Sequence, residues 1–241
     1  MNLVRTQAFL LRKRDYSDTS LIVVFFTADF GKVQFIIKGA KAKKGSFFGS
    51  FEHFSCYEIL FQRRPGHRGL IVLREARLIE GFPEIRQSLD CLYHASYCIE
   101  LLDAFTELED PDPTLFKLVF EALVNIRHEK DLDLKVRAFE IALLKHLGFL
   151  GDFSTCVSCH RPFQEKVYLD QRSLRLCCMD CSKKEAVPFD WKYLKWTSAL
   201  ESHTSSQIPL EARDQIQKLL WFYIDFHLGK PLKSRKFLSQ T

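Results

Sequence analysis

No stretch of the chain approaches the roughly 20 apolar residues that a bilayer-spanning helix needs. The opening segment, MNLVRTQAFLLRKRDYSD, has no apolar core of leader-peptide length before its charges begin. Both absences predict a soluble, cytoplasmic protein with no membrane partner. Catalytic signatures are missing too. There is no GxSxG, HExxH, Walker A or dinucleotide fingerprint, and the Ser, His and Asp residues show no local pattern. Lys38-Gly39-Ala40-Lys41 is not a nucleotide phosphate loop, which needs a longer glycine frame ending in Gly-Lys-Ser or Gly-Lys-Thr. Acidic residues bunch in Glu107–Asp112, but around prolines, as in a solvated turn. An enzyme is not expected. Internal repeats and low-complexity segments are absent as well.

Cysteine is plentiful. Eight occur, and in a chain without an export signal they argue for metal or reduced thiols over disulfides. Cys56, Cys91 and Cys98 lie scattered in apolar contexts and read as small buried side chains. The other five fall between Cys156 and Cys181. The pattern Cys156-x2-Cys159, then 18 residues, then Cys178-x2-Cys181 provides two tight loops facing each other. Four thiolates can then surround one zinc ion at about 2.3 Å, with no position left for a reactive water. The expected site is structural. A redox reading of CxxC would need a thioredoxin-like βαβ context, which is lacking. Cys177 and His160 stand beside the motif as alternative ligands for Cys178 and Cys159; the matching CxxC spacing favours Cys178.

The net charge of +5 is uneven. Residues 1–80 hold 14 Lys/Arg against 7 Asp/Glu, residues 81–150 hold 7 against 13, and residues 151–241 hold 14 against 10. A basic first third suggests a polyanion partner, and an acidic middle a different one.

Residues 3–79 read as five short strands: Leu3–Leu11, Leu21–Phe26, Val33–Ile37, Phe54–Phe61 and Leu70–Leu73, divided by turn signals. So many strands in so short a span fit a five-stranded OB-type β-barrel, with an SH3-like barrel as the alternative. Beyond Gly81-Phe82-Pro83 the period becomes helical. Helices are expected over residues 92–105, from an N-cap at Thr114 to Ile126, over Leu134–Leu147 with Gly148 beyond its end, over Trp191–Ser202, and over Leu210–Leu228 before Gly229-Lys230-Pro231. The expected fold is α+β and multidomain. Residues 1–80 form the OB-fold domain, 81–150 and 186–241 an α-helical domain, and 151–185 a four-cysteine insert. Helices on the two sides of the insert are expected to pack together.

Lys38, Lys41, Lys43 and Lys44 follow a strand among glycines, which let a backbone approach a ligand closely. Phe35, Phe47 and Phe48 lie nearby. Arg12, Arg14 and Arg63 add charge at positions that read as loops. A cationic barrel with aromatic rings is one way to hold a single strand of nucleic acid. The opposing reading is a solvated lysine loop over core phenylalanines.

The order of parts resembles the bacterial recombination mediator family RecO over essentially the whole chain. The resemblance rests on Arg14-Asp15-Tyr16-Ser17-Asp18-Thr19-Ser20 leading into Leu21–Thr27, on Gly31-Lys32, and on Lys38-Gly39-Ala40-Lys41. It extends to Cys156-Val157-Ser158-Cys159 and to His227-Leu228-Gly229-Lys230-Pro231-Leu232-Lys233-Ser234-Arg235. One departure stands out: the approach to the second cysteine pair, Arg172–Cys178, has no glycine and carries an extra cysteine. The resemblance implies a protein that binds single- and double-stranded DNA, anneals complementary strands, joins RecR, and helps RecA displace single-strand-binding protein, whose acidic tail it contacts. It implies DNA contact by Lys38, Lys41, Lys43 and Lys44, with Arg12, Arg14 and Arg63 as weaker contacts. It also implies zinc on Cys156, Cys159, Cys178 and Cys181, in a nucleoid-associated bacterial protein. Two rivals remain. A zinc-ribbon factor of transcription or translation would use Arg172, Arg175, Lys183 and Lys184 on nucleic acid, and a nuclease would assemble its site only in three dimensions.

Overall fold

The structure is a computed structural model and describes residues 2–40, 51–63, 69–151, 153–201 and 208–238. Its first five strands are β1 Asn2–Asp15, β2 Leu21–Thr27, β3 Gly31–Ile37, β4 Cys56–Arg63 and β5 Ile71–Glu80. They close into a barrel in the order β1-β2-β3-β5-β4. All pairings are antiparallel except β3 with β5, where Phe35 and Ile36 run parallel to Ile71 and Val72. That parallel closure makes the barrel OB-like and sets the SH3-like alternative aside.

Two strands outrun their apolar patterns. β1 continues through Arg12-Lys13-Arg14, because its ladder with β2 extends to Asp15 opposite Leu21, past a bulge between Leu10 and Arg12. β5 continues through Arg74-Glu75-Ala76-Arg77, held against β4 as far as Glu80 opposite Cys56. Arg12 and Arg14 therefore stand on a strand, not in a loop, and Arg63 is the last residue of β4. Strand alternation sends Ala8, Leu10, Val23, Phe25, Val33, Phe35, Tyr57, Ile59 and Phe61 into the barrel. Phe35 meets Phe61 and Phe25 edge-on at 4.9 and 5.9 Å between centroids. It is fully buried there and has no face to offer a base.

The next helices are α1 Pro83–Gln87, α2 Leu89–Phe105 and α3 Pro113–Ile126. The N-cap of α3 is Asp112, not Thr114: its carboxylate accepts the Leu115 N–H at 3.0 Å, and Pro113 fills the first helical position. α3 lays Phe116 and Phe120 over the outer barrel face, against Phe9 and Phe26.

A buried lysine ties barrel to helix. Lys32, on β3, points its ammonium at the C-terminal end of α2. It donates to the carbonyls of Asp103 and Thr106 at 2.6 and 2.7 Å and pairs with the Asp103 carboxylate at 2.9 Å. These are the unpaired carbonyls at the negative end of the helix dipole. The following segment docks on the same strand, where the Glu109 N–H meets the Lys32 carbonyl at 2.9 Å. Gly31 next to it has φ +64, and a Cβ there would lie 2.1 Å from the Asp110 carbonyl oxygen.

Residues 1–130 and 234–241 cluster as one compact unit and residues 131–233 as another. Helices α2 and α3 thus group with the barrel. In the first unit the returning tail carries α8 Arg235–Leu238. Ser234 is held by the Glu100 carboxylate, and Phe237 stacks on Tyr93 at 4.8 Å.

The second unit contains α4 Leu132–His146, strands β6 Lys166–Asp170, β7 Arg175–Cys177 and β8 Val187–Asp190, then α5 Trp191–Leu194, α6 Thr197–Glu201 and α7 Leu210–Leu228. Helices from both sides of the cysteine segment do pack together, α4 against α6 and α7. The expected helix from Trp191 to Ser202 is two short pieces within its described part. Around the break, the Thr197 hydroxyl donates to the Leu194 carbonyl at 2.9 Å. Arg137 and Glu140 of α4 form a fully buried pair at 2.8 Å.

Replacing Lys32 by Met should cost about 3 kcal/mol, because it strands buried acceptors and removes their counter-charge. Urea unfolding measures this. Lys38→Met, at an exposed position, should change little, and a loss below about 1 kcal/mol for Lys32→Met would contradict the assigned role.

Candidate metal centre and nucleic-acid interface

The cysteine segment is two short loops held by a small antiparallel sheet in the order β7-β6-β8. In the first loop the Cys156 N–H donates to the Arg161 carbonyl at 2.9 Å and the His160 N–H to the Cys156 carbonyl at 2.8 Å. Thr155 and Pro162 form a bridge at its base. The second loop starts where β7 ends. Pairing of Cys177 with Tyr168 carries the chain to Cys178, and a 3₁₀ turn over Met179–Cys181 brings Cys181 back. The Val157 N–H, bonded to the Leu176 carbonyl at 3.1 Å, lashes the first loop to β7.

This arrangement brings Cys156, Cys159, Cys178 and Cys181 together, their sulfurs all within 4.8 Å of one another. Cys159 Sγ and Cys178 Sγ stand 3.7 Å apart. Four thiolates about 2.3 Å from a central tetrahedral ion would sit about 3.8 Å from one another, so the donor set fits a soft divalent cation. Cys177 is outside the cluster, buried, with Sγ 3.6 Å from the Ser158 hydroxyl. His160 closes the first loop through its backbone and is not one of the four.

The thiols perturb one another strongly. Burial pushes Cys156 up, but backbone N–H groups of Cys178, Cys159 and Ser158 outweigh it and bring the thiol down to about 6. Cys159 is lowered by the backbone and guanidinium of Arg161. Cys181 is pushed up to about 12, first by its hydrogen bonds to Cys178 and Cys159. Such crowded acids hold their protons unevenly, and a cation held by the four sulfurs would displace protons from all of them.

The predicted DNA-contact residues are placed unevenly. Lys38 is exposed on the turn after β3. Lys41, Lys43 and Lys44, with Phe47 and Phe48, lie outside the described residues. Arg14 sits opposite Ile22, which pairs with Ile36, so it shares the end of the β1-β2-β3 sheet near Lys38. Arg14 is exposed and makes no ion pair among the described residues. Arg12 is bound at 2.9 Å to Asp103 of α2. Arg63 packs its guanidinium 4.7 Å from the ring centre of Phe30, just before β3 begins. Lys38 follows the other end of that strand, about 25 Å away along it at the usual rise. The structure thus brings Arg14 near Lys38 but does not bring Arg63 beside them.

Two features had no motif to reveal them. A cleft of about 290 Å³ on the outer face of β1, β4 and β5 is lined by Arg5, Arg74, Arg77, Glu58 and Glu75. Glu58 accepts from both Arg5 and Arg77, at 3.1 and 3.4 Å. Arg161, two residues past the first cysteine pair, bonds both Cys159 Sγ and Asp180. A loop arginine and charges on a strand look like ordinary surface until partners from distant segments are in place.

A closed OB-like barrel, helices and a four-cysteine metal-binding cluster define an α+β protein of the barrel-plus-metal-module kind. The family model described as Recombination protein O N terminal matches residues 1–82, and that described as Recombination protein O C terminal matches residues 86–236. The chain belongs to the RecO family of DNA repair and recombination proteins. It is 32% identical to the DNA repair protein RecO of Syntrophus aciditrophicus (strain SB), over 98% of this chain and 95% of that one. For the RecO of Pelobacter propionicus (strain DSM 2379 / NBRC 103807 / OttBd1) the identity is 30%, over 100% and 98%. For that of Clostridium novyi (strain NT) it is 28%, over 99% and 94%. No helix among the described residues is long and apolar enough to cross a membrane.

Cys178→Ser should abolish stoichiometric metal binding, and Cys177→Ser should leave it intact. Elemental analysis of the purified variants measures this. Full metal retention by Cys178→Ser would transfer the ligand role to Cys177.

Proposed function

We propose that this chain is a non-enzymatic recombination mediator of DNA repair, acting in the bacterial cytoplasm and associated with the nucleoid. It binds single- and double-stranded DNA on its barrel and anneals complementary strands. With RecR it helps load RecA on DNA coated by single-strand-binding protein. In this reading residues 1–80 hold DNA, residues 81–150 and 186–241 are the helical frame, and residues 151–185 are an insert stapled by one structural zinc. Zinc is the preferred ion because four thiolates in a closed tetrahedral set suit its coordination and leave no open position for catalysis.

The observation that carries this reading is the cationic rim of a closed OB-like barrel, with Arg14 and Lys38 at the same end of the β1-β2-β3 sheet. Lys41, Lys43 and Lys44 follow directly in sequence. Two strands of DNA repel through their phosphates. A cationic surface that takes one strand by its backbone, leaving bases accessible, lowers that repulsion and raises the local concentration of the other. Pairing then follows with no covalent bond made or broken. Arg12 and Arg63 are the weaker contacts, one shared with Asp103 and the other packed on Phe30.

The zinc-ribbon alternative is less well supported by the charges of the insert. Arg172 is paired with Glu185 at 3.0 Å and Lys183 with Asp170 at 2.8 Å. The Lys183 ammonium holds the Asp170 carboxyl down at about 2, so that pair is engaged across ordinary pH. Of the four cations that reading needs, only Arg175 and Lys184 make no ion pair among the described residues. For the acidic tail of single-strand-binding protein the proposed site is the end of α7. Phe226 is half-exposed there, His227 stacks on Phe149 at 3.8 Å, and Lys230 and Lys233 follow.

Changing Lys41, Lys43 and Lys44 together to Glu should slow annealing of complementary oligonucleotides at least tenfold. Neutral replacement should flatten the salt dependence of single-strand binding by about 0.7 log units per lost phosphate contact. Fluorescence anisotropy across a salt series checks the second effect. Unaltered annealing by the Glu variant would remove this loop from the DNA site.

A further inference from the structure

Arg161 links the two cysteine loops through its side chain. Its backbone carbonyl accepts the Cys156 N–H at 2.9 Å. The Nε of its guanidinium donates to Cys159 Sγ at 3.4 Å, and Nη2 donates to Asp180 Oδ2 at 3.0 Å. Asp180 lies between Cys178 and Cys181 in the second loop. One side chain therefore holds a thiolate of the first loop and the tip of the second with the planar fork that only arginine offers.

From this geometry we infer that Arg161, anchored by Asp180, is a positioning residue of the metal centre that governs how fast the metal is lost. The inference rests on the reading of the cluster as a zinc site. Four thiolates around a divalent cation leave a surplus of two negative charges, spread over the sulfurs. An N–H···S bond from a guanidinium draws off part of that charge at Cys159 and makes its sulfur a poorer partner for protons or competing electrophiles. The bond to Asp180 acts differently. Zinc leaves only when a loop swings away, and the Arg161–Asp180 bridge resists that separation. Both groups are largely exposed, at 65% and 71% of their side-chain area, so as an isolated pair they contribute little to folding. Their effect is local to the centre, where partners beyond the ligands themselves tune metal affinity by about 10- to 100-fold.

The test is zinc release from the intact full-length protein into excess 4-(2-pyridylazo)resorcinol, followed by absorbance, after zinc content is measured by elemental analysis. Arg161→Ala should release zinc about tenfold faster than the parent. Arg161→Lys, which keeps the charge but not the fork, should fall between the two. Asp180→Asn should raise the rate by a smaller factor. Raising ionic strength should speed release from the parent and have less effect on the Arg161→Ala and Asp180→Asn proteins, whose ion pair is already gone. One zinc per chain with release from Arg161→Ala and Asp180→Asn within twofold of the parent overturns the role of Arg161 and leaves the zinc reading standing. A parent protein that binds no stoichiometric zinc overturns the zinc reading itself, and the inference with it. If Arg161→Ala cannot be recovered folded, Asp180→Asn decides alone, since it keeps the guanidinium and removes only the charge of its anchor.

Discussion

The buried ammonium of Lys32 is the contact on which the barrel-bearing unit turns. A lysine inside a protein is costly unless its charge is met, and here three acceptors meet it within 2.9 Å. Those acceptors are the last carbonyls of α2 and the carboxylate of Asp103, so the helix end and the lysine satisfy each other. Asp103 also binds Arg12 on β1. Two strands of the barrel are thereby tied to one turn of one helix. The segment leading to α3 then lies along β3 beside Gly31, where no side chain fits. With α3 fixed, Phe116 and Phe120 cover Phe9 and Phe26.

The second unit meets the same problem of concentrated charge with opposite sign. Four thiols in contact repel once ionised, and a divalent cation relieves the repulsion. The small sheet beneath them is too short to hold two loops by itself. The Arg161 bridge and the pairs Arg172–Glu185 and Lys183–Asp170 add to it, and a metal held by the four thiolates would complete the set. Arg161, Arg172 and Lys183 of this module are held in internal pairs. On the barrel rim, Arg14 and Lys38 face solvent with no ion pair among the described residues. This difference underlies the assignment of DNA to the barrel and of a structural role to the metal.

The cysteine spacing was fully legible, because CxxC imposes its geometry within four residues and needs no help from elsewhere. The apolar cores of β2 and β3 and the helical period of α3, α4 and α7 were legible for the same reason. What escaped depended on distant partners. Charged residues ended β1 and β5 too early on paper, yet strand pairing with β2 and β4 carries them further. Thr114 looked like a cap, but Asp112 wins with a proline behind it. Lys32 read as one more basic residue, since nothing near it in sequence announces the helix end it meets 71 residues later. Arg161 was equally silent until Asp180 came within reach.

The central claim is that this chain works on DNA by holding and pairing strands, without chemistry. The direct test mixes complementary oligonucleotides, each coated with single-strand-binding protein, with the purified protein in the presence and absence of RecR, and follows duplex formation by fluorescence. The account predicts annealing well above the spontaneous rate, without nucleotide and with both strands recovered intact. No acceleration over single-strand-binding protein alone, or magnesium-dependent cleavage of the strands, would contradict it.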